Sequence, residues 1–127
     1  MGADESPLLI RTKQFALRVM RLVDSLPRSR SADVIGRQML RSATSVGANY
    51  RAARRARSPA EFCAKLGIVE EEADESIYWL ELLVDGKIVK QELLVELLKE
   101  ANEITAMVVS SIQTAKRGLP NVKRRSK

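Results

Sequence analysis

The sequence predicts an all-α fold, specifically an antiparallel up-down four-helix bundle. Apolar residues recur at alternating spacings of three and four along four segments, and capping or stop residues punctuate those segments. Short connections leave each amphipathic helix little to bury its stripe against except its neighbours, and near-heptad spacing favours shallow crossing angles. Composition agrees: 45% of the 127 residues are hydrophobic while only 4% are aromatic, which suits helices and one domain-sized core.

The predicted helices span about 7–26, 31–57, 59–85 and 89–117, in a domain of residues 1–117 followed by a basic tail, 118–127, expected to be disordered. Ser6 before Pro7 reads as an N-cap with proline in the first helical position. Thr12, Ala16, Val19, Val23 and Leu26 form the expected inward stripe, and Pro27 ends it. Ser31 is the expected cap of the second helix, whose stripe is Met39, Ala43, Val46, Tyr50 and Ala53. In Ser58-Pro59-Ala60-Glu61 the serine caps, the proline takes the first position and the glutamate completes a capping box. Phe62, Leu66, Val69, Ala73, Ile77, Leu80 and Val84 face inward on the third helix. Asp85-Gly86 stops that helix, with Gly86 suited to a left-handed cap. The fourth buries Leu94, Leu97, Ala101, Ile104, Val108, Ile112 and Ala115, and Gly118 and Pro120 close it.

Several function classes are excluded or made remote. One cysteine, Cys63, cannot form an internal disulfide, and zero histidines remove the usual general base and the commonest metal ligand. A serine nucleophile would lack its customary activating base. The run from Glu70 to Glu75 points around its helix rather than at one metal ion. No catalytic, cofactor or metal site is therefore expected. No apolar run reaches the roughly 20 residues that span a bilayer, and the acidic start of "MGADESPLLIRTK" does not resemble a signal peptide, so a cytoplasmic protein is expected.

Charge is segregated along the chain. Residues 1–57 hold 12 Lys/Arg and 4 Asp/Glu, residues 58–104 hold 4 and 12, and residues 105–127 hold 6 and none. At about 100° per residue, Arg37, Arg41, Arg51 and Arg55 share one strip of the second helix, nearly opposite its core stripe. Arg11 and Arg18 make a shorter strip on the first helix, and Lys123, Arg124 and Arg125 lie in the tail. Guanidinium groups hold their charge and bind phosphate bidentately. The preferred reading is a phosphate-binding surface, because no acid falls between Asp33 and Glu61. Pairing with acidic helices of the same or a neighbouring chain, and plain solvation, are the alternatives.

The third helix has a second apolar side, made of Ile68, Tyr78, Trp79 and Leu82. A helix apolar on two sides is expected to be buried on two sides, so these four residues are candidates for an interface between copies of the chain.

"RSATSVGANYRAARRARSPAEFCAKLGIVEEEADESIYWLELL", residues 41–83, resembles the four-helix bundle proteins related to those encoded in intervening sequences of bacterial large-subunit ribosomal RNA. The Ser/Val-x-x-Asn run of the second helix and the Glu-rich helix ending in Tyr-Trp-Leu carry the likeness, which extends over about residues 9–117. Many relatives place a glutamate four residues after the asparagine, where this chain has Ala53. The resemblance implies the bundle fold, a ring-like pentamer and nucleic-acid binding. It also reaches the accessory proteins of diversity-generating retroelements, which engage a reverse transcriptase. Two functions follow as expectations: a non-enzymatic oligomer that binds nucleic acid, RNA foremost, without strong sequence specificity, or a scaffold that docks a protein partner.

Overall fold

The computed structural model describes residues 6–119. Four helices account for nearly all of them: α1 (Pro7–Asp24), α2 (Arg30–Ala53), α3 (Pro59–Asp85) and α4 (Gln91–Arg117). Each helix packs against its neighbours in chain order and α1 packs against α4, so the four surround one core without diagonal contacts. The bundle is up-down: Gly47 approaches Thr12 while Gly36 approaches Leu26, and Arg11 meets Glu100 and Glu103 while Leu22 lines one groove with Leu93.

Local chemistry explains the helix ends. The Ser6 hydroxyl accepts from Leu8 N at 3.2 Å, ahead of Pro7. Ser58 sits in extended backbone, as a residue before proline prefers, and its hydroxyl accepts from Glu61 N at 3.1 Å. The Glu61 carboxylate reaches back, but to Arg57 N at 2.8 Å rather than to Ser58 N. The capping box is thus present with its return bond moved one residue upstream.

Four expectations are corrected. The first helix ends at Asp24, not Leu26, because Leu26 precedes a proline that disfavours helical backbone there. The second begins at Arg30 with Ser29, not Ser31, accepting from Ala32 N, and ends at Ala53 rather than 57, leaving Arg54 to Ser58 to make the reversal. The fourth begins at Gln91, not 89, since Ile88 and Val89 serve the preceding turn. Finally, Gly86 has an ordinary negative φ of −81°, and the left-handed residue is Lys87, at φ 58°. Lys87 N bonds Val84 O and Ile88 N bonds Leu83 O, the paired bonds of a Schellman ending. The non-glycine residue carries the backbone strain, and Ile88 packs against the core.

The core follows the predicted stripes on α2 and α4: Met39, Ala43, Val46, Tyr50 and Ala53 are buried, as are Leu94, Leu97, Ala101, Ile104 and Val108. Ile112 and Ala115 of the predicted α4 stripe are only partly covered; on α3 Leu66, Val69, Ala73 and Leu80 are buried as expected, Ser76 and Leu83 join them, and Phe62, Ile77 and Val84 are only partly covered. On α1 the stripe is rotated. Leu8, Thr12, Phe15 and Val19 are buried, whereas Ala16, Val23 and Leu26 line the α2 side and are only partly covered. Phe15, absent from the predicted stripe, is among the largest fully buried side chains. Two polar features sit within the packing. Ser42 and Ser76 share a hydrogen bond of 2.9 Å across the α2–α3 seam, and Thr12 bonds its own helix at Leu8 O.

Candidate nucleic-acid interface

The arginines fall into two groups that single-helix periodicity does not separate. Arg41 leans from α2 toward α3, where its Nη2 donates to Glu75 Oε2 at 2.6 Å and its Nη1 to Glu72 Oε2 at 3.3 Å. Glu72 Oε1 is buried and lies 3.2 Å from Nη1 without a hydrogen bond of its own, its carboxylate being held through Oε2. Arg11 spans the α1–α4 seam, donating to Glu100 at 2.9 and 2.7 Å and to Glu103 at 2.6 Å. These contacts have electrostatic consequences. Bonds from Glu100 and then Glu103 raise the Arg11 pKa, and those from Glu75 and then Glu72 raise that of Arg41. In turn Arg11 holds the Glu100 carboxyl below its usual range, with a smaller contribution from Arg18, while Arg41 and then the Trp79 indole N–H do so for Glu75.

The expected strips are corrected accordingly. Arg41 is engaged by α3 carboxylates and Arg11 by α4 carboxylates, whereas Arg18 is half-buried and makes no ion pair among the described residues, its charge only contributing to the field at Glu100. Arg37, Arg51 and Arg55 are exposed, and no carboxylate among the described residues pairs with them. Lys123, Arg124 and Arg125 lie outside the described residues.

The fold adds cations that the strips on single helices did not include. Because α2 and α4 both end where α1 and α3 begin, Arg51, Arg54, Arg55 and Arg57 share one end of the bundle with Lys116 and Arg117. Counting the terminal turns and the connecting loop, the only carboxylate among the described residues of that end is Glu61, whose Oε1 is occupied by a backbone N–H. Lys116 and Arg117 sit some sixty residues from the arginine run, so their convergence is a tertiary fact. The signal was available in the sequence only by combining up-down connectivity with charge at the helix ends.

The second candidate surface has the expected character in part. Tyr78 is 53% exposed and Ile68 39%, whereas Trp79 and Leu82 are half-buried. Trp79 packs on the core, meets Tyr78 edge-on at 5.2 Å between ring centroids, and donates its indole N–H to Glu75 at 3.0 Å. The same carboxylate therefore ties Trp79 to Arg41.

Asn49 donates to Ser45 O of its own helix, and Cys63 is a half-buried free thiol. Among the described residues no cluster of potential ligands could hold a metal ion, and no helix is long and apolar enough to cross a membrane.

Residues 8–110 match the profile of the 23S rRNA-intervening sequence proteins, most of the helical bundle. The chain belongs to that family. A crystal structure of a protein of unknown function from the S23 ribosomal protein family of Bacteroides thetaiotaomicron has the same fold, with a TM-score of 0.78 and 36% sequence identity, covering 83% of this chain and 97% of that one. No curated protein matches. Membership of the intervening-sequence family accounts for the four-helix architecture; what the basic end does is a separate question.

Proposed function

We propose that this chain is a non-enzymatic, oligomeric RNA-binding bundle of the cytoplasm that holds the phosphate backbone without strong sequence preference. The observation that carries the reading is the one-signed end of the bundle. Arg51, Arg55, Arg57, Lys116 and Arg117 share that end with Glu61, the only carboxylate of its terminal turns and connecting loop among the described residues, and Arg37 extends the positive surface along α2. Surfaces that merely keep a protein soluble usually mix signs, while a concentrated cationic patch draws counterion-coated polyphosphates by releasing their ions. Base-specific recognition has no support, since neither a recognition helix of known type nor an aromatic platform accompanies the cations. Assembly as a ring, with five copies as the family resemblance implies, would multiply the contacts.

The test is affinity for single-stranded RNA across salt concentration on the assembled protein. Each phosphate contact contributes a slope of roughly −0.7 in log affinity against log salt. Four or more contacts therefore give a slope near −3 or steeper, equal for unrelated sequences. A slope near zero, or no binding at low salt, refutes the reading. A second reading, a scaffold that docks a protein such as a reverse transcriptase, draws its support from the exposed Tyr78 and Ile68. It predicts capture of that partner with little salt-dependent RNA affinity.

A further inference from the structure

We infer that the bundle tells RNA from DNA at the sugar: a hydroxyl-lined recess between the start of α1 and the second half of α4 receives a ribose and recognises its 2′-hydroxyl. This rests on the phosphate-binding reading above and names the polymer that the site takes.

The recess has a volume of about 480 Å³, and four of the residues lining it carry a hydroxyl: Ser6, Tyr50, Ser110 and Ser111. Ser6 and Tyr50 bond each other at 3.0 Å, and the Ser6 oxygen also accepts from Leu8 N at 3.2 Å. Two hydroxyls joined by one bond spend one proton between them. Whichever of the pair donates, the other keeps an O–H with no acceptor among the described residues.

The two serines of α4 are uncommitted as well. Other helical hydroxyls turn back on their own backbone: Thr44 bonds Leu40 O, Ser76 bonds Glu72 O and Thr105 bonds Ala101 O, the usual recourse of a hydroxyl inside a helix. Ser110 is exposed and Ser111 half-buried, and neither hydroxyl has a hydrogen-bond partner among the described residues. Both line the same recess as the Ser6–Tyr50 pair.

This set of groups matches a ribose. A 2′-hydroxyl both donates and accepts, and the recess offers one uncommitted O–H from the pair together with serine oxygens that accept. Pro7 and Ala106 give the sugar's C–H face an apolar wall. Phosphate is held next door. Arg117 stands seven residues beyond Ser110, on the same side of α4 and about 10 Å along it at 1.5 Å per residue. Its Nε reaches Gln113 O at 3.4 Å, which leaves both Nη groups without a partner among the described residues. Seven residues the other way Glu103 faces the same side, but Arg11 holds it at 2.6 Å, so its charge is met within the chain. A backbone gripped by Arg117 thus brings its sugars to the recess, and deoxyribose would leave the hydroxyls there unpaired.

The experiment compares one sequence as single-stranded RNA, as DNA and as 2′-fluoro RNA, which keeps the sugar pucker of RNA but cannot donate, at one fixed salt concentration. Wild type should bind RNA about fivefold more tightly than either of the others, the effect of one net hydrogen bond. Ser110→Ala combined with Ser111→Ala should bind RNA only as tightly as DNA, with the salt slope for RNA kept. Alanine favours the helix at both positions, and circular dichroism verifies that the helices persist. Equal wild-type affinity for RNA and DNA overturns the recess. So does a 2′-fluoro strand that binds as well as RNA, or a double variant that keeps the preference. Those results leave phosphate binding standing, whereas no binding of any strand at low salt overturns that reading and the recess together.

Discussion

At one end of the bundle α2 and α4 terminate and α1 and α3 begin; at the other the roles reverse. Each end therefore presents two helix N-termini and two C-termini, whose dipoles largely offset one another. Side chains decide the difference. The far end sets Arg21, Arg28, Arg30, Lys87 and Lys90 against Asp24, Asp33, Asp85 and Glu92, close to neutrality. The near end sets Arg51, Arg55, Arg57, Lys116 and Arg117 against Glu61 alone among the described residues. Mixed signs at one end are what solvation alone calls for, and the concentration of one sign at the other is what the proposed phosphate contact rests on. The arginines between the ends follow a third pattern, in which Arg11 and Arg41 act as clasps across helix seams.

The largest effect expected from breaking this contrast is on binding. Replacing Arg55, Arg57, Lys116 and Arg117 with glutamine should flatten the salt slope for single-stranded RNA by about 3, the sum of four contacts. The mirror-image set, Arg28, Arg30, Lys87 and Lys90 to glutamine, removes equal formal charge and should change the slope by no more than about 1. Equal losses from both sets would show that net charge, not its placement, governs binding.

The clasps should respond in stability rather than in binding. Arg11→Gln and Arg41→Gln should each cost about 1 kcal/mol, as partly exposed multi-point ion pairs do, while leaving RNA affinity nearly unchanged; denaturant midpoints and the same salt titration report both. Acid should imitate the substitutions. Glu75 and Glu100 have folded pKa values below the ordinary range, so their contribution is complete above the unfolded carboxylate value of about 4.3 and is lost as pH falls through the lowered folded values. Arg11→Gln should therefore lose less stability than wild type between pH 5 and 3, in urea melts followed by circular dichroism.

The smallest effects lie in the turns of the two ends and should have opposite signs. Ser58→Ala removes the bond to Glu61 N at the basic end and should cost about 1 kcal/mol. Lys87→Gly at the neutral end relieves a left-handed non-glycine residue, worth about 1–2 kcal/mol, offset by glycine's extra chain entropy of about 0.5–1 kcal/mol. The net gain should be about 0.5 kcal/mol, seen as a small rise in thermal midpoint.

Much of this was legible in advance because it is local. Caps such as Ser6-Pro7 and Ser58-Pro59 act within four residues, and the apolar periods of α2 and α4 report burial directly, so helix number, order and most of the core follow from sequence alone. Where a stripe was ambiguous, locality failed. On α1 an apolar residue stands in several directions, and only the positions of α2 and α4 select Phe15 over Ala16 as the buried side. The same limit governs charge. Periodicity places Arg41 and Arg51 in one strip, but whether a guanidinium meets carboxylates depends on the azimuth of the neighbouring helix, which brings Glu72 and Glu75 to the first and nothing comparable to the second. The sequence by itself determined a basic, four-helix, histidine-free bundle, because composition and helical period are properties of the chain. Only the tertiary structure decided which cations are clasps and which converge at one end, because residues sixty apart become neighbours only when antiparallel helices close around a core.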